Sequence, residues 1–454
     1  MGKSDKPTSK TKSTRIHHSL AKYKNNKIIA PSGSSSDRSS SEDILENVLI
    51  LQGGGSLGAF GCGVFKSLEN NNVKIDIVAG TSIGGVNAAI ISGSKDGERT
   101  GQLLEQFWLE LADSYVDLER IPLSTLLPIA GEAFDKFDYT SISRNAQYND
   151  RLTNMDRLKI KSLKSFYSSV IFGNDKMFRP RWRPEYALSD PEYFQPSKWT
   201  YLYDHSPLVK TLEKYIDYNK LKPHGNPNSR LIVTAVDVLT AKPLTFDSSR
   251  QQITPRHILA TSAYPLYNFP WIEVEDGVYG WDGGLLSNTP LREVIDASPV
   301  NNKQIFLVEN YPKEVDGLPT NLPEVYHRAR DIIFSDKTEH NVTMSKVITA
   351  YLRYIEELYQ IIEDHVDINK IDHRQLENIR KKYKKYKQQR GAEIKGIHYV
   401  TRDEPFPATY ENADFSPETI RNSIRDGESK TNHMLKKVLN QSADLYGNDI
   451  AFRS

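Results

Sequence analysis

A single cysteine, Cys62, leaves this 454-residue chain no partner for an internal disulfide and suits a reducing compartment. No apolar run reaches the length of a membrane-spanning helix. The first thirty residues carry eight Lys or Arg and one acid but no apolar stretch, so a secretory signal is not expected there. Lys6 stands where a myristoylation pattern wants Ser or Thr. The formal net charge is only +1, which gives no chain-wide signature of nucleic-acid binding. No acidic loop has calcium-ligand spacing. These absences point to a cytoplasmic chain without a cofactor or metal, peripheral if it meets a membrane at all.

What is present is glycine in three informative places. Gly80-Thr81-Ser82-Ile83-Gly84 is a G-x-S-x-G motif between an apolar run, Ile75 to Ala79, and a helix-like stretch from Gly85. That order of strand, tight turn and helix is what a nucleophile elbow needs, and it would hold the Ser82 hydroxyl out at the turn. A second turn, Gly53-Gly54-Gly55-Ser56-Leu57-Gly58, lies between the strand-like Val48 to Gln52 and a helix-like segment from Ala59. Its backbone N–H groups suit an anion, such as the oxyanion of acyl transfer. The same segment satisfies G-x-G-x-x-G, so dinucleotide binding is an alternative, with Asp76 as the ribose acid. Asp76, however, opens the second apolar run instead of closing it. The third segment is Trp281-Asp282-Gly283-Gly284, followed by Asn288 and Pro290.

A glycine turn, a G-x-S-x-G and a distant D-G-G together resemble the patatin-like phospholipase family, over about residues 45 to 315. Leu231 to Asp237 and Ile258 to Pro265 look like the strand and helix that precede the D-G-G there. The resemblance implies a three-layer α/β fold with a mostly parallel central sheet. It implies Ser82 as nucleophile, Asp282 as base of a catalytic dyad, and Gly53, Gly54, Gly55 and Gly58 as the oxyanion turn. Gly80, Gly84, Gly283 and Gly284 support the motifs. Many family members carry Arg or Lys where this chain has Leu57. The expected activity is hydrolysis of fatty-acyl esters of glycerophospholipids or related lipids, with no metal. The rivals are a Ser-Asp-His triad esterase, since several histidines follow Asp282, and a non-catalytic lipid- or nucleotide-binding protein that uses the glycine turn.

The composition divides the chain into three parts. Residues 1–42, rich in Ser, Lys, Thr and Asn, predict a disordered basic tail. Residues 43–315 form the catalytic domain, with a helical or irregular insertion at 101–228. Its aromatic and arginine-rich part, Phe166 to Tyr203, reads as a lid or interfacial wall, or as a packed insertion. Residues 316–454 form a mainly helical extension, similar to that of a microbial subgroup of patatin-like proteins. Val347, Ile348, Tyr351, Leu352, Ile355, Leu358, Tyr359 and Ile362 fall on one face of a long helix expected to pack on the core. A basic helix follows at Leu376 to Arg390. An anionic membrane surface is a candidate partner for the basic segments, and a solvated face is the alternative. His257 is expected on a helix surface, and His327 and His340 in solvated helix. Cys62 is expected as small buried filler.

Overall fold

A computed structural model describes residues 44–118 and 164–451, apart from 226, 316, 321, 336–337, 366–371, 391 and 405–410. The basic tail and residues 119–163 of the insertion lie outside the described residues.

Chain order builds an α/β unit first. Strand β1 (Leu45–Leu51) leads through the glycine turn into α1 (Gly58–Asn70). Strand β2 (Ile77–Thr81) leads through Ser82 into α2 (Ile83–Gly93), followed by α3 (Thr100–Asp113). The two-residue strands β3 (Arg179–Pro180) and β4 (Tyr203–Asp204) pair within the insertion, and α4 (Pro207–Leu212) follows. Then come β5 (Arg230–Asp237), β6 (Pro243–Asp247), α5 (Pro255–Thr261), β7 (Ile272–Glu275), β8 (Val278–Asp282), α6 (Leu291–Ala297) and β9 (Asn302–Glu309). The extension comprises α7 (Leu322–Phe334), α8 (Thr338–His365), α9 (His373–Arg390), β10 (Ile394–Thr401) and α10 (Pro417–Ala451).

The main sheet has the order β10-β9-β1-β2-β5-β8-β7, with β6 paired to β5. Strands β10, β9, β1, β2 and β5 run parallel, and β6, β8 and β7 are antiparallel additions. Strand β1 shows why the fold has three layers. Leu49 and Leu51 enter a core with helices α1, α2 and α3, while Val48 and Ile50 enter a second core with α6. Both faces are covered, so the strand reads as a continuous apolar run and not as an alternation.

The extension is built into this body. Strand β10 extends the sheet beyond β9. Helix α10 crosses α1 so closely that a Cβ on Gly63 would collide with the Ile424 carbonyl, and one on Gly427 with the Phe60 carbonyl. Phe415, Ile420 and Ile424 are buried in the main core, and Lys66 of α1 binds Glu428 at 2.5 Å.

Several local expectations change. His257 is buried and not on a surface. It closes a capping box with Thr254 at the start of α5 and stacks on Phe246 at 4.3 Å between ring centroids. His327 is also buried, 2.7 Å from Glu404 and 3.3 Å from Asp331. The apolar face of α8 is covered only in part: Val342 near its start joins the core and Ile348, Leu352, Tyr359 and Ile362 are half-buried, but Val347, Tyr351, Ile355 and Leu358 are exposed. Periodicity identified the face but could not say what covers it. Cys62 is fully buried as filler, and burial raises its thiol pKa.

Within the described part of the aromatic insertion, Phe178 and Tyr203 are buried. Phe178 meets Tyr203, Phe269 and Phe415 edge-on. Its arginines are neutralised internally, Arg181 by Asp190 and Arg183 by Asp175. Arg181 also stacks on Trp199 and Tyr201. Leu188 and Phe194 project into solvent.

Candidate active site

Strand β2 runs into Ser82, which caps α2 at φ 58° and ψ −132°. A non-glycine residue rarely adopts that conformation, and it costs about 1–3 kcal/mol. Close packing holds it there. A Cβ on Gly84 would strike the Leu51 carbonyl, and one on Gly80 would strike the Gly84 carbonyl. The Ser82 N–H donates to Thr261 Oγ1 at 3.2 Å. The Ser82 side chain therefore sits at the end of the central sheet, at the positive end of an α-helix.

Register brings Asp282 to the same point. Strand β5 pairs with β6 along one edge over Ile232–Val236. Its other edge carries β2 and then β8, end to end: Thr81 aligns with Thr234, and Asp282 with the next residue, Ala235. One strand thus sets the separation of the serine and the aspartate. The Thr81 and Thr234 hydroxyls lie 2.9 Å apart and tie the two strands beneath them. Gly283 fits because a Cβ there would come within 2.5 Å of Thr234 Oγ1.

Asp282 is buried, and its carboxyl pKa is pushed up to about 7. Burial is the main cause. The Ser82 hydroxyl and the Gly284 N–H, which donates to Oδ1 at 2.7 Å, pull it back down. Oδ2 has no hydrogen-bond partner among the described residues. A buried, unpartnered acceptor beside a hydroxyl is costly for folding and suited to taking a proton.

The glycine turn lies against the serine. A Cβ on Gly53 would come within 2.7 Å of Ser82 Cβ. The Gly53 N–H, however, donates to Asn288 Oδ1 at 2.9 Å. The Gly58 N–H bonds back to the Gly55 and Ser56 carbonyls. Among the described residues the N–H groups of Gly54 and Gly55 make no hydrogen bond. Gly54 and Gly55 have φ of 149° and 58°, values open to glycine.

Four residues missed from the sequence frame this turn. Asn288 also donates to the Phe334 carbonyl at 3.2 Å. Asn310 donates to the Gln52 and Gly53 carbonyls at 3.1 and 3.0 Å. Gln52 donates to Thr289 Oγ1 at 2.9 Å. Asn412 places its carbonyl over Gly55 and donates to the Tyr267 hydroxyl at 2.9 Å. Only Asn288 had a signal, its place shortly after the D-G-G. Leu57 is buried with Tyr264, Tyr311 and Phe334, so a charged side chain has no room there.

The family model of patatin-like phospholipases matches residues 49–295. The chain belongs to the patatin-like phospholipase family. Membership places it among lipid acyl hydrolases. It is similar to three solved structures. VipD from Legionella pneumophila is 14% identical, with 90% of this chain and 72% of that one covered and a TM-score of 0.32. Full-length ExoU in complex with SpcU, from the type III secretion system of Pseudomonas aeruginosa, is 16% identical, with 63% and 47% covered and a TM-score of 0.23. A structure of the type III effector protein ExoU is 12% identical, with 87% and 53% covered and a TM-score of 0.27. The chain spans about half the length of the two ExoU chains it matches. A search of curated proteins finds no match.

Other chemistry-bearing groups do not join this patatin-like site. No histidine bonds Ser82 or Asp282 among the described residues; His205 lies by Ser262 and Phe269, and His398 by Gln304. Asp76 accepts the Asn47 N–H at 3.0 Å, at the far end of β2 from the glycine turn, where it cannot serve a dinucleotide bound there. His327, Asp331 and Glu404 lie within metal-ligating reach of one another. Arg330 binds Asp331 at 2.7 Å and Arg402 lies 3.7 Å from Glu404, so the two carboxylates are already balanced by guanidinium charge. No described helix is long and apolar enough to cross a membrane.

Proposed function

We propose that the chain cleaves fatty-acyl ester bonds of lipids, phospholipids among them, through a Ser82–Asp282 dyad. The observation that carries this reading is a buried Asp282 whose one close hydroxyl is that of Ser82, on a carboxyl whose pKa burial pushes up to about 7 and whose Oδ2 has no other partner among the described residues. Near neutral pH such a carboxyl is divided between its base and acid forms, and each step of acyl transfer uses one of them.

Ionised Asp282 takes the Ser82 proton as Oγ attacks the ester carbonyl carbon. The oxyanion accepts hydrogen bonds from the Gly54 and Gly55 N–H groups, with Gly53 held in place by Asn288 and Gly58 closing the turn. One such donor is worth roughly 3 kcal/mol of barrier. Collapse of the intermediate breaks the ester C–O bond, and the proton on Asp282 passes to the leaving alkoxide. Asp282 then takes a proton from water as that water attacks the acyl-serine. Collapse releases the fatty acid, and the proton returns to Ser82.

Leu285 and Leu286, which follow the Asp282 turn, are exposed and give an acyl chain an apolar approach. A reducing, cytoplasmic setting with peripheral contact to lipid suits a chain whose one thiol is buried. The test is labelling with a fluorophosphonate in the presence of lipid. Ser82→Ala should abolish labelling of the folded protein, and Asp282→Asn should slow it at least ~100-fold. Unchanged labelling of Ser82→Ala would refute the dyad. A non-catalytic binding protein would show no labelling of the wild type and no hydrolysis across a lipid panel.

A further inference from the structure

We propose that the α8–α9 hairpin is a docking surface for an anionic lipid bilayer. The proposal takes from the function above only that the substrate lies in a lipid phase, and it does not depend on the serine chemistry.

The hairpin exposes apolar surface that the core does not cover. Tyr351 is 66% exposed on α8, and Ile379 and Tyr386 are 55% and 56% exposed on α9. Met344, Tyr354, Leu358 and Ile361 are exposed on α8 as well. The two helices hold each other through the Tyr359–Tyr383 stack, at 6.0 Å between centroids, and the Lys387–Glu356 pair at 2.7 Å. Between them opens an apolar cleft of about 320 Å³, lined by Ile348, Tyr351, Leu352, Ile355 and Tyr386, with Lys382 beside it. A soluble protein rarely leaves a continuous apolar surface of this kind without a partner.

Charge identifies the occupant. Helix α9 carries eight Lys and Arg and one acid, Glu377. Lys381, Lys382, Lys384 and Lys385 are exposed and form no ion pair among the described residues. Apolar and tyrosine side chains on one side, with lysines on the flanks and the other side, make the pattern of a helix lying in a membrane interface. The helix is ~10 Å thick, about one Debye length, so all four ammonium groups feel an anionic surface. Tyrosine suits the headgroup level, with its ring in apolar surroundings and its hydroxyl in water. The chain also connects this surface to the site. Helix α8 starts just after Phe334, whose ring lies 3.7 Å from where a Cβ on Gly284 would stand.

The experiment uses the full chain carrying Ser82→Ala, so that vesicles stay intact, sedimented with phosphatidylcholine vesicles with and without phosphatidylserine. Binding should require phosphatidylserine. Lys381→Gln, Lys382→Gln, Lys384→Gln and Lys385→Gln together should weaken it at least ~10-fold. The matching four Lys→Arg changes should preserve it. Tyr351→Ser with Tyr386→Ser should weaken it without lowering the melting temperature. With Ser82 restored, all three sets should hydrolyse p-nitrophenyl butyrate at the wild-type rate. Absence of wild-type binding, or equal binding by the Gln set, overturns the proposal. So does a concentration-dependent dimer without vesicle binding that the two tyrosine changes dissolve, since the surface then belongs to a second copy. A wild type that binds vesicles but hydrolyses neither lipid nor soluble ester refutes the hydrolase reading and leaves the docking surface standing.

Discussion

Asn288 accepts the N–H of Gly53 at 2.9 Å, so the segment that follows the proposed base holds the turn proposed to stabilise the oxyanion. The same amide donates to the Phe334 carbonyl, which ties both to the helical extension. Asn288→Ala should leave a buried N–H and a buried carbonyl unpaired. Ester turnover should fall ~10- to 100-fold in kcat with little change in KM, and stability by about 1–3 kcal/mol. Steady-state kinetics on a soluble ester and a denaturant titration would check both. A change in KM alone would mean that the clamp does not position the turn.

Activity should depend on a single ionisation near neutrality. Asp282 must be ionised to take the serine proton, and burial pushes its pKa up to about 7. The kcat/KM for a soluble ester should therefore rise with pH through about 7 and level off above it. Flat activity between pH 5 and 8 would contradict Asp282 as the base.

The same carboxyl should burden the fold. Its pKa is higher in the folded state than the model-peptide value of 3.8. Between those two values the folded state binds more protons than the unfolded state, so this group's contribution to stability falls as pH rises from about 4 to about 7 and is constant above. Asp282→Asn should raise the melting temperature at pH 8 and have much less effect at pH 4. The gain is bounded by roughly 4 kcal/mol. Equal stabilisation at both pH values would show that the ionised carboxylate is not the source.

Gly427→Val should separate α10 from α1. The glycine lies against the Phe60 carbonyl, where no side chain fits without moving a helix backbone. Overpacking of this kind costs about 1–3 kcal/mol or more. Thermal unfolding would show the loss. Ester hydrolysis should fall with it, because α1 begins at the glycine turn.

Leu57→Arg would restore the residue type common in the family at that position. In this chain it should do harm, since Leu57 is enclosed by Tyr264, Tyr311 and Phe334. A lower melting temperature with no gain in phospholipid over neutral-lipid hydrolysis is expected. A stable variant with enhanced phospholipid turnover would show that the aromatic cluster can open.

The sequence made legible whatever depends on neighbours along the chain. The strand, elbow and helix around Ser82 follow from a few adjacent residues, and so does the glycine turn. The D-G-G bend was legible because it is local, whereas the approach of Asp282 to Ser82 depends on how β2 and β8 share one edge of β5. The contacts of Asn310, Thr234 and Asn412 were not legible, because each joins segments far apart in the chain. His327 was misread as solvated because its burial depends on Glu404, beyond the end of β10. Helix α8 departs for the opposite reason: its apolar face is plain in the sequence, but beyond Val342 the core leaves half of it exposed.

The crossing of α10 over α1 also joins segments that are made far apart in time. Ser82, the glycine turn and Asp282 all leave the ribosome before the helix containing Gly427 does. Until that helix arrives, the main core lacks Phe415, Ile420 and Ile424, and the carbonyl of Asn412 has not closed over Gly55. A nascent chain thus holds the groups proposed to react before α10 has packed against α1.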